Sequence, residues 1–249
     1  MSNTPAKKPS EHHLHGRHKR LARLSDYLSE FVYGGIDGSV TTFAVVAGSA
    51  GAGLNTDVVL ILGFANLIAD GFSMSIGNFL SVKSEIDDYN RHKRVEYWEV
   101  DNLPEKERQE IREIYAAKGF SGELLEQVVA VITADKDRWV DVMMKEELEM
   151  ALPDKSPYKT AGVTFMSFVV VGLIPLLTYI LEFLGIITLS YVFVISCVLT
   201  SIAFIIIGYL RSYVTHTNKA KSILETLALG ALAALTAYFV GDVLEQVLF

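Results

Sequence analysis

Five long stretches of the chain are almost free of charge, and between the second and third lies a segment in which charged and apolar positions recur at helical spacing. The apolar runs are Phe31 to Gly53, Val58 to Val82, Ala161 to Leu184, Ile186 to Leu210 and Ile223 to Leu248. Each is long enough to cross a hydrocarbon core, which takes roughly 20 helical residues. The pattern predicts an all-α membrane protein with five transmembrane helices and a helical insert between spans two and three. A polar, basic tail is expected over 1–24, spans one and two over 25–82, the insert over 83–158, and spans three to five over 159–249. The tail is polar for too long before the first apolar run to resemble a cleavable signal, so it reads as a native cytosolic segment.

Local signals divide the insert into three helices. Asn102, Leu103 and Pro104 open one that carries EKERQEIREIYAAK and stops at Gly119. Ser121 caps GELLEQVVAVIT, and Thr133 or Asp135 starts a third helix that runs through RWVDVMMKEELEM until Pro153. The stretch YNRHKRVEYWEV is expected to continue span two as one helix.

Composition agrees with a membrane class: 51% of the 249 residues are hydrophobic, and the mean hydropathy is +0.32. Charge adds orientation. Arg17, Lys19, Arg20 and Arg23 precede span one, and Arg211, Lys219 and Lys221 lie between spans four and five. The one-to-two and three-to-four turns and the C-terminal EQVLF carry no Lys or Arg. The positive-inside bias therefore places the N-terminus and the insert in the cytoplasm and the C-terminus outside. Residues 83–157 hold 19 Asp and Glu against 12 Lys and Arg, a balance of −7, which is the formal net charge of the whole protein. The single cysteine, Cys197, rules out a disulfide framework or a cysteine metal site and reads as a packing residue.

Ionisable groups inside spans are the first candidates for chemistry. Asp37 lies a few residues inside span one, where an unpaired carboxylate costs on the order of 3 kcal/mol, so such a group usually faces a bundle interior or an aqueous path. An interfacial position paired with a nearby Arg is the plain alternative. In span two Asp70 and Met74 share a face one turn apart. Carboxylate oxygen attracts hard divalent ions and thioether sulfur favours softer ones such as Fe2+, although a lone Met in a membrane helix is more often packing. In the insert, Glu96 with Glu99 and Glu110 with Glu113 form ExxE pairs, and Met143, Met144 and Glu147 lie on one face of the third helix. Any single pair is commonly a solvated face, but their concentration in one short segment points to metal binding. His12, His13, His15 and His18 in the tail are at best accessory metal ligands. No Walker A loop, GxGxxG, HExxH or GxSxG signature is present, nor the ExxH pairs of a di-iron bundle. The chain is therefore not expected to be an enzyme, an ATP-driven pump or a nucleic-acid binder.

YGGIDGSVTTFAVVAG in span one, ADGFSM in span two and WVDVMMKEE in the insert, together with the five-span layout, resemble the vacuolar iron transporter family from Leu24 onward. The resemblance implies a homodimer that moves Fe2+ out of the cytosol in exchange for protons, along a path between the first spans of two subunits. It implies membrane-site roles for Asp37 and Met74. It likewise implies metal-binding roles for Glu96, Glu99, Glu110, Glu113, Met143, Met144 and Glu147. Many relatives carry GEY after the SM of span two, where this chain has Gly77, Asn78 and Phe79. Asn78 cannot titrate, so either Asp70 takes over that share of proton coupling or the coupling differs. The expected ligands are the transported divalent metal (Fe2+, with Mn2+ or Zn2+ as alternatives), protons and membrane lipid, with no resident cofactor. The expected location is the plasma or inner membrane in a bacterium and a vacuole-like membrane otherwise. A membrane-anchored scaffold whose acidic insert binds a partner is the rival reading.

Overall fold

The computed structural model describes residues 27–186 and 191–248; the 1–24 tail with its histidines lies outside them. The described elements are helical throughout. In chain order they are α1 (Leu28–Gly51), α2 (Thr56–Asn102), α3 (Pro104–Ala117), α4 (Gly122–Thr133), α5 (Lys136–Glu146) and α6 (Pro157–Gly172). A 3-10 turn (Ile174–Leu176) follows, then α7 (Leu177–Phe183), α8 (Val192–Val214) and α9 (Lys219–Leu248). Five segments are long and apolar enough to cross a membrane: α1, α2, the 157–183 stretch, α8 and α9. The chain divides into two compact units, Met1–Asn78 with Tyr158–Phe249, and Phe79–Pro157. The 47 residues of α2 contribute to both.

In the first unit α1 packs most extensively on α9 and also meets α8. Close backbone approach explains the small residues of α1. A Cβ added at Gly38 would overlap the carbonyl oxygen of Phe168 on α6, and one at Gly241 of α9 would overlap that of Gly48. With no hydrophobic drive between helices in lipid, such contacts supply dispersion where larger side chains would hold the backbones apart. Phe43 of α1 meets Phe204 of α8 edge-on, with ring centroids 6.3 Å apart.

The apolar run over 161–184 is not one helix. Pro175 has no N–H to give to the preceding turn, and the chain passes through the 3-10 turn before resuming as α7. The Pro175 carbonyl instead accepts a hydrogen bond of 2.6 Å from Ser196 Oγ on α8. At the start of α2, Thr56 Oγ1 donates to Glu182 of α7 at 2.7 Å.

The second unit is built on its own apolar core. Tyr89 and Val100 of α2, Ile111 of α3, Leu125, Val129 and Ile132 of α4, and Trp139, Val140, Met143 and Met144 of α5 form one buried cluster. Gly119, with φ of 97°, turns the chain after α3 in a conformation that L side chains rarely adopt. Asp135 caps α5, accepting from the Arg138 N–H at 2.8 Å. Ion pairs link the outer faces, with Lys93 3.0 Å from Asp141 and Lys136 2.6 Å from Asp101.

Candidate metal centre

Within the second unit, five carboxylates from three elements converge. Glu96 and Glu99 come from α2, Glu107 and Glu110 from α3, and Glu147 from the residue that ends α5. They form two triads, Glu96 with Glu99 and Glu107, and Glu107 with Glu110 and Glu147. In each triad one oxygen per residue lies within 4.8 Å of the others. Glu107 belongs to both. Sequence spacing pairs Glu110 with Glu113, but Glu113 is exposed, accepts a hydrogen bond from Gln109 Nε2 at 2.9 Å, and lies outside both triads. Helix geometry explains the difference. At 3.6 residues per turn, Glu107 lies about 40° from the buried Ile111 on the helix wheel, whereas Glu113 lies about 160° away. Glu107 therefore points inward with the core and Glu113 outward.

Met143 and Met144 are both fully buried among the apolar side chains of the unit, the former one turn before Glu147 on α5. Both lie on the helix whose C-terminal end presents Glu147.

Charge and burial conflict in the cluster. Glu96 is 3% exposed and Glu107 is 1% exposed, yet one oxygen of Glu96 and both of Glu107 have no hydrogen-bond partner. Burial, reinforced by Glu147, Glu99 and Glu110, pushes the Glu96 carboxyl up to about 7. Burial, then Glu110, Glu99 and Glu96, does the same for Glu107. The Glu147 carboxyl is also raised, first by burial and then by Glu110 and Glu99. At the 4.8 Å limit of that spacing, two unit negative charges repel by about 3.5 kcal/mol at an effective dielectric constant near 20. A divalent cation placed among them would turn that repulsion into attraction and supply the missing partners. The donor set is mainly hard oxygen, suited to Mg2+, Ca2+, Mn2+ or Fe2+.

The remaining candidates lie in the first unit. Asp37 on α1 and Asp70 on α2 are both half-buried. Met74 and Asn78 follow Asp70 at successive turns of α2, also half-buried. The Asn78 amide donates to Thr164 Oγ1 of α6 at 2.8 Å, and Ser75 Oγ donates to the Ala161 carbonyl at 2.9 Å. Asn78 is therefore held by a neighbouring helix. Asn66, one turn before Asp70, carries a buried Nδ2 with no partner, a polar position on the same side of α2 that its short amide in an apolar run could have signalled.

A model of the family described as the VIT family matches residues 28–242. A vacuolar iron transporter from Toxoplasma gondii is 36% identical over 242 residues, which cover 94% of this chain and 80% of that protein. One from Centaurea cyanus is 33% identical over 232 residues, covering 92% and 93%. Vacuolar iron transporter 1 of Arabidopsis thaliana is 33% identical over 222 residues, covering 89% and 87%.

Proposed function

Because the chain belongs to the VIT family, we propose that it is a transporter, not an enzyme, that carries Fe2+ out of the cytosol across a membrane, with Mn2+ as a second cargo. The observation that carries this reading is the pair of carboxylate triads sharing Glu107, whose buried oxygens have no hydrogen-bond partner. The acidic unit, cytoplasmic by the bias of Lys and Arg along the chain, captures the ion and raises its local concentration. The thioethers of Met143 and Met144 lend it preference for softer ions. Captured metal passes to Asp37, Asp70 and Met74 in the first unit, where few ligands of mixed hardness bind well enough to select and loosely enough to release.

Proton coupling follows from the same carboxylates. A proton and a metal ion cannot occupy one carboxylate together, so protons arriving from the far side expel metal, and metal expels protons. In span two Asp70 takes over the share of proton coupling that Asn78, which can only hydrogen-bond, does not carry. The working unit is a homodimer whose two first spans flank the path. The membrane is vacuole-like or, in a bacterium, the plasma membrane.

Purified protein in liposomes loaded with a fluorescent iron chelator tests this directly. Fe2+ added outside should quench the chelator far faster than in empty liposomes, and Mn2+ should compete. Liposomes that take up neither metal, from protein whose acidic unit recognises another macromolecule, would support the scaffold reading instead.

A further inference from the structure

Lys106 places its ammonium against the five carboxylates. Its Nζ lies 2.9 Å from Glu110 and 4.0 Å from Glu107. Its charge also acts on Glu96 and Glu147. The other cations of α3 are engaged elsewhere: Arg108 pairs with Glu105 at 2.9 Å and lies over the Trp139 ring, Arg112 pairs with Glu126 at 2.8 Å, and Lys118, just past the helix, pairs with Glu146. Lys106 also differs from its partners in exposure. Its side chain is 60% exposed while that of Glu107 is 1% exposed, so the ammonium can swing into solvent whereas the carboxylate stays fixed.

We propose that Lys106 is a tethered counter-ion of the carboxylate cluster, displaced by each arriving metal ion and returning as the ion leaves. It thereby weakens metal affinity and speeds release. The inference rests on the reading of the cluster as a metal site. A divalent ion held by Glu107 and Glu110 and an ammonium on the same oxygens repel each other, and the flexible, strongly hydrated lysine is the one that yields. A relay site gains from such a competitor, because an ion held too tightly would not be passed on.

The test measures Mn2+ and Zn2+ affinity and release rate for the intact protein in detergent, in wild type, Lys106→Ala, Lys106→Leu, Lys106→Arg and Glu107→Gln. Both neutral variants should bind both metals about three- to tenfold tighter, the scale of one partly exposed ion pair, and release them more slowly. Lys106→Arg should keep the wild-type affinity. An equal gain for a hard and a softer ion marks an electrostatic effect, which a reshaped ligand set would not give. If wild type binds metal, Glu107→Gln does not, and the neutral Lys106 variants bind no tighter, or gain for one metal alone, the counter-ion role is overturned while the metal site stands. If wild type binds neither metal, the site itself fails, and this inference with it.

Discussion

Replacing Glu107 by glutamine removes one charge at nearly constant volume, and it should move metal binding and metal-free stability in opposite directions. Glu107 is shared by both carboxylate triads, so its loss removes a ligand from each. Loss of a group that merely orients a ligand typically costs 10- to 100-fold in affinity; loss of the shared ligand should weaken Mn2+ binding by at least about 100-fold. Without metal the sign reverses. A carboxyl raised from 4.5 to about 7 corresponds to about 3 kcal/mol against its charged form. The folded protein keeps that proton through a pH range in which the unfolded chain has released it. This stabilisation is full below about 4.5 and lost as pH rises through about 7. At pH 8 Glu107→Gln should therefore unfold at a higher temperature than wild type when a chelator is present. Glu113→Gln is the control, since Glu113 is exposed and bonded to Gln109. Mn2+ titration against a competing chelator, with thermal unfolding of the same samples, reads both effects. Equal loss of affinity in Glu113→Gln, or undiminished binding by Glu107→Gln, would refute the inward register of α3.

Metal affinity should fall as pH drops below about 7, because Glu96 and Glu107 both take up protons there; Mn2+ titrations at pH 6 and 8 check this, and equal affinities would contradict the shared titration. Gly38→Ala should sharply reduce the yield and thermal stability of the detergent-solubilised protein, since its Cβ would meet the Phe168 backbone. Gly77→Ala, which meets nothing within 4 Å, should be neutral in the same assay. Asn78→Ala removes the 2.8 Å hydrogen bond to Thr164 and should cost about 1 kcal/mol of stability, while leaving the pH dependence of flux unchanged because neither side chain titrates.

The five apolar runs translate into the five long helical segments because length and lack of charge alone suffice for that inference. The continuation of α2 through 102 was likewise legible, since no Gly or Pro interrupts Lys83 to Asn102 except where the helix ends before Pro104. Less legible was the break at Pro175: hydropathy averages over it, and only the missing N–H of proline marks it. The acidic register of α3 is left open by the sequence for a different reason. The sequence from Glu107 to Glu113 contains two overlapping ExxE spacings, and spacing alone does not distinguish them. The apolar face does, because Glu107 precedes Ile111 by one turn and shares its side of the helix. The placement of Lys106 has no sequence signature, because sequence neighbours reveal charge but not which carboxylates a side chain reaches across elements. The Asn78 to Thr164 bond, which joins residues 86 positions apart, has no local signature either.

If metal and protons alternate on the carboxylates of one path, as proposed, flux must respond both to a pH gradient and to the loss of a single carboxylate. Wild-type protein and Asp37→Asn, each confirmed as folded by size-exclusion profile, are reconstituted into liposomes, and Fe2+ uptake is followed with and without an acidic interior. Wild type should take up Fe2+ faster when the interior is acidic, and Asp37→Asn should show no uptake under either condition. Uptake by Asp37→Asn equal to wild type, or wild-type uptake indifferent to the pH gradient, would show that metal and protons do not share these carboxylates.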